Sequence, residues 1–383
     1  MRAVIMAGGF GTRLRPLTTS LPKPMLPLLN RPLLLHVVEH LKRHGLRKLL
    51  FLLHHRASHI QRFFGDGHRF GVKIDYCVTT SDLGTAGATG AARELLREPF
   101  VLLSGDVLTD LNLSEVIRRH NTLGATASMV LTRAENPCPF GIVAVDHQER
   151  VVQFKEKPTQ DEVFSDLINS GIYVLDPQVF ELIPPDQPCD WAGDVFPRLL
   201  KQSAPLYGLF SDCYWRDIGT PQAYLHACQD IYSGKIVLDP RLPLPPAQHD
   251  HAAIKPPSSG RAKGCIWVAE NCRIAPSAHL TNVVIGRNCI IEAGCHLENT
   301  ILWDHVHLRH NSRIRGAILG NHVVTGMDVR IDTGAIIADH ARLGAGLYVP
   351  PDTLVKSPHP LTGHPDNHAK QIVSATARMK HSP

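Results

Sequence analysis

The sequence lacks the cysteine spacing that marks a zinc site or a disulfide framework. It has nine cysteines, an odd number, and the two closest, Cys289 and Cys295, are six residues apart. Zinc ribbons and small secreted domains need cysteines paired at short spacing. The cysteine content therefore predicts reduced thiols and a cytoplasmic protein, with no cysteine metal centre.

Long apolar runs, dense positive charge and aromatic residues are also scarce. Gly8 and Gly9 interrupt the apolar N-terminal stretch too early for a signal peptide, and no run reaches the roughly 18 apolar residues of a membrane span. The net charge is +5, no cluster of Lys and Arg stands out, and aromatic residues make up 6%. These absences predict a protein that binds neither membrane nor nucleic acid. Small anionic substrates suffice to account for the mildly basic charge.

Residues 1–232 alternate strand-like and helix-like segments. Apolar strands are predicted at 3–6, 48–53, 72–77, 100–104 and 126–131, and helical patterns at 86–97 and 114–120. Such alternation is typical of βαβ units, in which helices cover a mostly parallel sheet. The pattern predicts an α/β domain with a Rossmann-like sheet. Ligands of such sheets bind beyond the carboxyl ends of the strands.

The periodicity changes after a proline-rich linker predicted at 233–263. Aliphatic residues then recur every six positions, and the whole pattern repeats after 17 residues, as in Val268, Ile285, Leu302 and Leu319. Three inward positions per turn describe a parallel β-helix built from hexapeptide repeats, whose coils stack through their apolar rows. Residues 264–350 are predicted to form this β-helix, and 351–383 a loose tail.

The segment 7–18 reads AGGFGTRLRPLT and follows the first predicted strand. Glycines after a strand let backbone N–H groups approach a phosphate, and Arg13 and Lys23 supply positive charge. The loop is neither a Walker P-loop, which ends in Gly-Lys-Ser/Thr, nor a dinucleotide fingerprint, because Leu14 stands where a third small residue is needed. A purely structural turn would not require the Thr-Arg-Leu and the proline-flanked lysine.

This loop resembles the signature GGxGTRLxPLT, followed by PKP, of the sugar-1-phosphate nucleotidyltransferases. The resemblance extends over roughly residues 1–350, and the segments IGRN at 285–288 and LGN at 319–321 resemble the hexads of left-handed β-helices. It implies that Arg13 and Lys23 are catalytic and neutralise the departing pyrophosphate. It also implies that the nucleotide is bound by Ala7, Gly8, Gly9, Gly11, Thr12 and Arg13.

Two aspartates are candidate metal ligands. Asp106 follows the apolar segment 100–104, and on its own it could equally be a turn or helix-capping residue. Asp217 lies in WRDIGTP, which resembles the family motif W-x-D-I-G-T-P. The resemblance implies that Asp106 and Asp217 are catalytic and hold Mg²⁺ against the nucleotide α-phosphate. Two carboxylates together with substrate phosphates suit Mg²⁺, which keeps several of its waters.

The sugar phosphate has its own set of candidate residues. The segment FKEKP at 154–158 resembles F-x-E-K-P, and NSGIY at 169–173 resembles N-A-G-x-Y, with Ser170 in place of alanine and able to add a hydroxyl near the sugar. Glu156 would accept hydrogen bonds from sugar hydroxyls, and Lys157 would hold the phosphate. The resemblance implies a sugar-phosphate site made of Gly141, Glu156, Lys157, Asn169 and Gly171.

The segment LGTAG at 83–87 resembles the edge of the nucleobase site, although it could equally be a simple helix start. Gly84 and Thr85 are the nucleotide-binding residues it implies. This segment, DWAGDVFP at 190–197 and the appended β-helix resemble the mannose-1-phosphate guanylyltransferase branch. GTP and mannose-1-phosphate are therefore the expected substrates, and the β-helix is expected to form a homo-oligomer.

Three other functions compete with this one. The first is uridylyl or thymidylyl transfer to glucose-1-phosphate. The second is a non-catalytic regulatory subunit of the same fold that binds a nucleotide sugar, which is disfavoured because Arg13, Lys23, Asp106 and Asp217 are all present. The third is acyl transfer on the β-helix, disfavoured because its coils contain no long insertions.

Overall fold

The computed structural model describes residues 1–236 and 262–356 and the backbone of Ile372–Ser374. Most of the predicted linker and of the predicted tail lies outside these residues. The chain divides into two compact units, the first made of Met1–Phe10 and Leu33–Asp217, the second of Gly11–Pro32 and Ile218–Pro383. None of the described helices is both long and apolar enough to cross a membrane. They are α1 (Leu33–Arg43), α2 (Ala57–Phe64), α3 (Gly84–Gly90), α4 (Leu113–Leu123), α5 (Phe196–Lys201) and α6 (Pro221–Tyr232).

The strands of the N-terminal half are short and mostly apolar. In chain order they are β1 (Arg2–Met6), β2 (Pro27–Leu28), β3 (Arg31–Pro32), β4 (Lys48–Leu53), β5 (Lys73–Val78), β6 (Phe100–Ser104), β7 (Val107–Thr109), β8 (Ala127–Arg133), β9 (Gly141–Val145), β10 (Val151–Glu156), β11 (Leu167–Leu175), β12 (Leu206–Phe210) and β13 (Trp215–Asp217). The observed bounds of β4 and β6 coincide with those of the predicted strands. Their runs KLLFLL and FVLLS are buried almost throughout, as expected of inner strands covered on both faces.

The main sheet of the first unit has β1 at its centre. It pairs in parallel with β4 on one side and β6 on the other, and β5 continues the parallel set beyond β4. On the other side, β11 is antiparallel to β6 and brings in β8, β9, β10 and β12. The predicted helix at 86–97 is shorter than expected. Its sequence begins GTAGATG, and three glycines in seven residues end α3 at Gly90.

The second unit contains the predicted left-handed β-helix. Its strands are β14 (Ala262–Val268), β15 (Arg273–Ile274), β16 (His279–Ile285), β17 (Ile290–Ile291), β18 (His296–Leu302), β19 (His307–Leu308), β20 (Arg313–Arg315), β21 (Ile318–Leu319), β22 (Val324–Thr325), β23 (Arg330–Ile331), β24 (Ile336–Ile337), β25 (Arg342–Leu343), β26 (Tyr348–Val349), β27 (Thr353–Val355) and β28 (Ile372–Ser374). The last coil reaches β27, beyond the predicted end at residue 350.

The register of the coils is the one that the repeat predicts. Val268 pairs with Ile285, Ile285 with Leu302 and Leu302 with Leu319, all in parallel strands. Leu319 then pairs with Ile337, which is 18 residues further on. These side chains are buried in one continuous aliphatic core. Each coil therefore buries its apolar row against the next, as the six-residue spacing requires.

One corner of the β-helix repeats a left-handed backbone conformation. Asparagine tolerates this region, and histidine is also enriched there. The imidazole rings of His305, His322 and His340 stack with centroids 4.5 and 4.8 Å apart. The histidines of this region thus form an ordered column. The residues at this corner, with their φ angles, are Asn271 (57°), Asn288 (56°), His305 (62°), His322 (58°) and His340 (62°).

The segment Gly11–Pro32 and helix α6 belong to the second unit, although the sequence assigned them to the N-terminal domain. The Asn30 side chain donates a hydrogen bond to the Ile285 carbonyl at 2.8 Å. Tyr224 of α6 donates to the Pro27 carbonyl, and its hydroxyl also accepts from Trp303 Nε1 at 3.4 Å. These long-range contacts join the N-terminal loop, α6 and the β-helix into one compact unit.

Candidate active site

The turn after β1 lies against the neighbouring parallel strand. Ala7 N donates to Leu52 O at 3.0 Å, and Gly8 O accepts from His55 N at 3.2 Å. A Cβ on Gly8 would lie 2.8 Å from His54 N, so only glycine fits, whereas a Cβ on Gly9 would meet nothing within 4 Å. The backbone at Gly9 is thus open to a ligand, as the phosphate-cradle hypothesis requires.

The rest of the phosphate loop belongs to the second unit. Thr12–Leu14 forms a short 3₁₀ turn that leaves Thr12 and Arg13 exposed. Lys23 begins another such turn and is half-buried. The Thr18 hydroxyl donates to Gly11 O at 2.8 Å, and a Cβ on Gly11 would lie 3.0 Å from that of Lys23. The loop therefore packs Lys23 against Gly11, whereas Arg13 is exposed.

The two predicted metal ligands lie on neighbouring strands of the first unit. Asp106 directly precedes β7, and Asp217 ends β13, which is antiparallel to β7 with Asp217 opposite Val107. Opposed Cα atoms of antiparallel strands are about 4.5–5.5 Å apart, so the ladder places Asp217 beside the residue that follows Asp106. The Ser104 hydroxyl donates to the Asp106 carboxylate. Residues 111 positions apart in sequence thus meet at one strand end.

This strand end is also the carboxyl edge of the central strands. Ser104, the last residue of β6, pairs with Met6, the last residue of β1. Gly105 N donates to Met6 O at 2.9 Å, which brings the turn before Asp106 against the start of the phosphate loop. Two carboxylates at an edge where phosphates are expected form a donor set that suits Mg²⁺.

Glu156 and Gly141 form the centre of the predicted sugar-phosphate site. They are opposite each other on β10 and β9, and a Cβ on Gly141 would lie 2.6 Å from Glu156 Oε2. Lys157 Nζ lies 3.8 Å from Glu156 Oε1. Burial raises the pKa of the Glu156 carboxyl, while the Lys157 ammonium acts to lower it and Asp190 adds to the rise. A glycine at 141 therefore leaves the space that this carboxylate occupies.

Asn169 and Gly171 lie at an irregularity of β11, where the pairing with β8 shifts register. Asn169 donates to the Tyr173 hydroxyl at 2.9 Å and accepts from Gly171 N at 3.1 Å. The Ser170 hydroxyl is buried and donates to Val130 O at 2.8 Å. The expectation that Ser170 adds a hydroxyl near the sugar is therefore wrong, because the sheet already uses that hydroxyl.

Thr85 at the start of α3 is held by Asp190, which is not among the site residues predicted from the sequence. Asp190 Oδ1 accepts from both Thr85 N at 3.1 Å and Thr85 Oγ1 at 2.7 Å. Trp191 N in turn donates to Thr85 Oγ1 at 3.0 Å. The Thr85 side chain thus ties the segment after Gly84 to the segment 189–191. The motif at 190–197 was the available signal for Asp190, although nothing in it indicated which residue Asp190 contacts.

Comparison with protein-family models identifies both halves of the chain. Residues 2–234 match the nucleotidyl transferase family, and residues 249–349 match the left-handed β-helix domain of the EIF2B epsilon subunit. The first match starts and ends within two residues of the predicted N-terminal domain. The second begins inside the predicted linker, 15 residues before the predicted start of the β-helix, and ends one residue before its predicted end.

Curated relatives and solved structures agree with these models. The chain is 34% identical to a mannose-1-phosphate guanylyltransferase of Mycobacterium tuberculosis, over 74% of this chain and 79% of that protein. It is 36% identical to a UTP–glucose-1-phosphate uridylyltransferase of Synechocystis sp., over 62% of this chain, and spans 64% of that protein's length. Among solved structures, HddC from Yersinia pseudotuberculosis, complexed with GMP-PN, superposes with a TM-score of 0.53 at 27% identity over 60% of this chain and 99% of that one.

Proposed function

The chain belongs to the nucleotidyl transferase family, and from this premise we propose that it transfers a nucleotidyl group from an NTP to a sugar-1-phosphate. The proposed products are a nucleotide sugar and pyrophosphate. The preferred substrates in this proposal are GTP and mannose-1-phosphate. The observation that carries the proposal is the pairing of β13 with β7, which places Asp217 beside the residue after Asp106 at the end of β6.

The reaction needs no protein nucleophile. An oxygen of the sugar phosphate attacks the α-phosphorus, a new P–O bond forms, and the bond to the β-phosphate breaks as pyrophosphate leaves. Both reactants are anions, so catalysis consists of positioning and charge neutralisation. Lys157 holds the attacking phosphate against its repulsion from the NTP. Arg13 and Lys23 neutralise the departing pyrophosphate.

Asp106 and Asp217 are the residues that would hold Mg²⁺. When bound there, the ion would supply charge stabilisation at the α-phosphate. Glu156 accepts hydrogen bonds from sugar hydroxyls in its ionised form. Burial raises the pKa of this carboxyl, and the nearby Lys157 ammonium opposes that rise. The open backbone at Gly9 binds NTP phosphate oxygens, and the backbone near Gly84 borders the base.

The guanylyl choice is supported by the mycobacterial relative, which the chain matches over 79% of its length. The uridylyl alternative is favoured by the cyanobacterial relative, whose identity of 36% is slightly higher over a shorter alignment. Both relatives share the reaction and differ in base and sugar. The choice therefore depends on the pockets around Gly84 and Glu156.

A matrix of nucleotides and sugar phosphates tests the proposal. GTP, UTP, dTTP, ATP and CTP are each combined with mannose-1-phosphate and glucose-1-phosphate, with Mg²⁺, and nucleotide sugar is quantified by chromatography. We expect the GTP and mannose-1-phosphate pair to give the highest kcat/KM. The highest value for UTP or dTTP with glucose-1-phosphate would replace the guanylyl assignment. No product from any pair, with a folded protein by circular dichroism, would contradict the enzymatic function.

The homo-oligomeric state and the cytoplasmic location remain predictions. Light scattering of the full chain tests the first, and a mass of one chain at micromolar concentration would contradict it.

A further inference from the structure

A cavity of about 480 Å³ lies in the second unit, between the phosphate loop and the last coils of the β-helix. Arg15 and Ser20 contribute to its wall from the loop, and Asp339, Leu354 and Lys356 from the coils. Its volume is within the roughly 300–1,000 Å³ of small-molecule sites. It includes none of the residues assigned above to the NTP or the sugar phosphate, so it is a separate candidate site.

The charges around the cavity favour an anion. Neither the Arg15 guanidinium nor the Lys356 ammonium forms an ion pair or side-chain hydrogen bond with any residue that the structure describes. The one acidic side chain of the lining, Asp339, is already engaged on both oxygens. Oδ1 accepts from Asn321 N at 2.7 Å, and Oδ2 accepts from the Ser20 hydroxyl at 2.5 Å. Among the described residues, no acidic side chain therefore competes with a ligand for these two cations.

The rest of the wall is mainly apolar, with Pro16, Ala338 and Leu354, and it is completed by Thr19 and His340. A phosphate held by Arg15 and Lys356 leaves most of the volume for a carbon skeleton. Charge-assisted hydrogen bonds to phosphate are among the stronger polar contacts, and an apolar wall adds binding energy through burial. The chemical class that fits is a small phosphate ester.

The loop side of the cavity is only a few residues from the predicted catalytic cations. Arg15 is two residues from Arg13, and Ser20 is three residues from Lys23. Between them, Thr18 donates to Gly11 O, and Gly11 packs against Lys23. A ligand that fixes Arg15 and Ser20 against the coils therefore also restricts Arg13 and Lys23. Restricting groups before a second ligand arrives increases the affinity for that ligand.

We propose that this cavity binds a small phosphate ester and that its occupancy tightens NTP binding. The inference rests on the proposed function for the roles of Arg13 and Lys23. It adds an effector site on the β-helix side of the phosphate loop. Because such coupling is reciprocal, NTP tightens binding of the phosphate ester by the same factor.

The first test is calorimetry of the full chain with phenyl phosphate as the probe. Wild type is compared with Lys356→Glu and with Lys263→Glu, which reverses an exposed lysine of the same β-helix outside the cavity lining. We expect Lys356→Glu to weaken binding by about tenfold or more, as for loss of a charge-assisted contact, and Lys263→Glu to bind like wild type. Equal binding by Lys356→Glu and wild type would overturn the proposal, because it would place the probe elsewhere, including the active site.

The second test measures NTP affinity directly, by calorimetry with GTP and with UTP, in the presence and absence of saturating phenyl phosphate. We expect the probe to lower the Kd of the bound nucleotide by about fivefold in wild type and not in Lys356→Glu. An unchanged Kd in wild type would overturn the coupling. Neither test requires turnover, so an inactive protein that still shows the Lys356-dependent binding would contradict the proposed function and not this site.

Discussion

The β-helix and the proposed catalytic edge of the first unit, the strand end that carries Asp106 and Asp217, are each stabilised in a different way. In the β-helix, contacting residues are 17 or 18 positions apart, and the same contact recurs in each coil. At the catalytic edge, Asp217 lies beside a residue 110 positions earlier, and that contact occurs once. A periodic core distributes its stability over equivalent rows, whereas a site depends on single residues. Substitutions should therefore separate stability from activity.

The largest effect is expected at the single contact of the catalytic edge. Asp217→Asn should lower kcat by about a thousandfold, because it removes a metal-binding carboxylate where the reaction concentrates negative charge. The free energy of unfolding should change little, since the ladder with β7 uses backbone groups. Steady-state formation of nucleotide sugar measures kcat, and urea denaturation measures stability.

Asp212→Asn is the matched control, because Asp212 is exposed and lies five residues before Asp217. It should retain wild-type kcat. A wild-type kcat in Asp217→Asn at ordinary Mg²⁺ concentration would show that Asp217 is not a metal ligand.

The second prediction is the opposite case, a loss of stability without a loss of activity. Leu302 is fully buried between Ile285 and Leu319, and Leu302→Ala should lower the free energy of unfolding by about 3 kcal/mol through lost burial and a cavity. The kcat of the folded protein should stay near the wild-type value. Urea denaturation followed by tryptophan fluorescence measures the loss, and Trp303, the next residue, is one of the four tryptophans that contribute to the signal. Leu302→Met, which conserves volume, should cost less than about 1.5 kcal/mol. Equal losses for the two variants would mean that the row is not close-packed.

The same contrast explains what could be predicted from the sequence. The register of Val268, Ile285, Leu302 and Leu319 follows from a fixed period, because identical spacing forces identical pairing. The bounds of β4 and β6 follow from apolar runs that only an inner strand explains. Placement of Gly11–Pro32 with the β-helix could not be predicted, since it depends on contacts such as that of Asn30 with Ile285, 255 residues apart.

Site residues also differ in whether local sequence or a distant contact determines their position. Local segments were enough to predict Asp106, Asp217 and Glu156 as site residues, whereas the contacts that hold Thr85 come from Asp190, 105 residues away. Ser170 is a case in which a motif led to a wrong expectation. Its position beside Asn169 suggested a hydroxyl near the sugar, but its side chain is buried and donates to the Val130 carbonyl of the neighbouring strand.

A third, smaller effect is expected from the space beside Glu156. Gly141→Ala places a Cβ 2.6 Å from Glu156 Oε2 and must displace that carboxylate. Because Glu156 contacts the sugar and not the NTP in the proposed function, the KM for sugar phosphate should rise by about tenfold with little change in the KM for NTP. Gly193→Ala is the control, since its nearest neighbour would be 3.7 Å away. Equal changes in both KM values would argue against a sugar-specific role.

The smallest effect concerns the histidine column of the β-helix. Burial, followed by the neighbouring His305 and His340, lowers the pKa of the His322 imidazole. The unfolded chain therefore takes up a proton more readily than the folded one, so stability falls as the pH drops below the unfolded value of about 6.5. Because His322 is largely exposed, its contribution to this loss of stability should be below about 0.5 kcal/mol.

His322→Asn suits the same left-handed backbone, which Asn288 already adopts at this corner, and cannot titrate. Urea denaturation at about pH 8 and about pH 5.5 should show a smaller acid loss in His322→Asn than in wild type. An identical loss in both proteins would mean that the stacked rings do not contribute to the pH dependence of the β-helix.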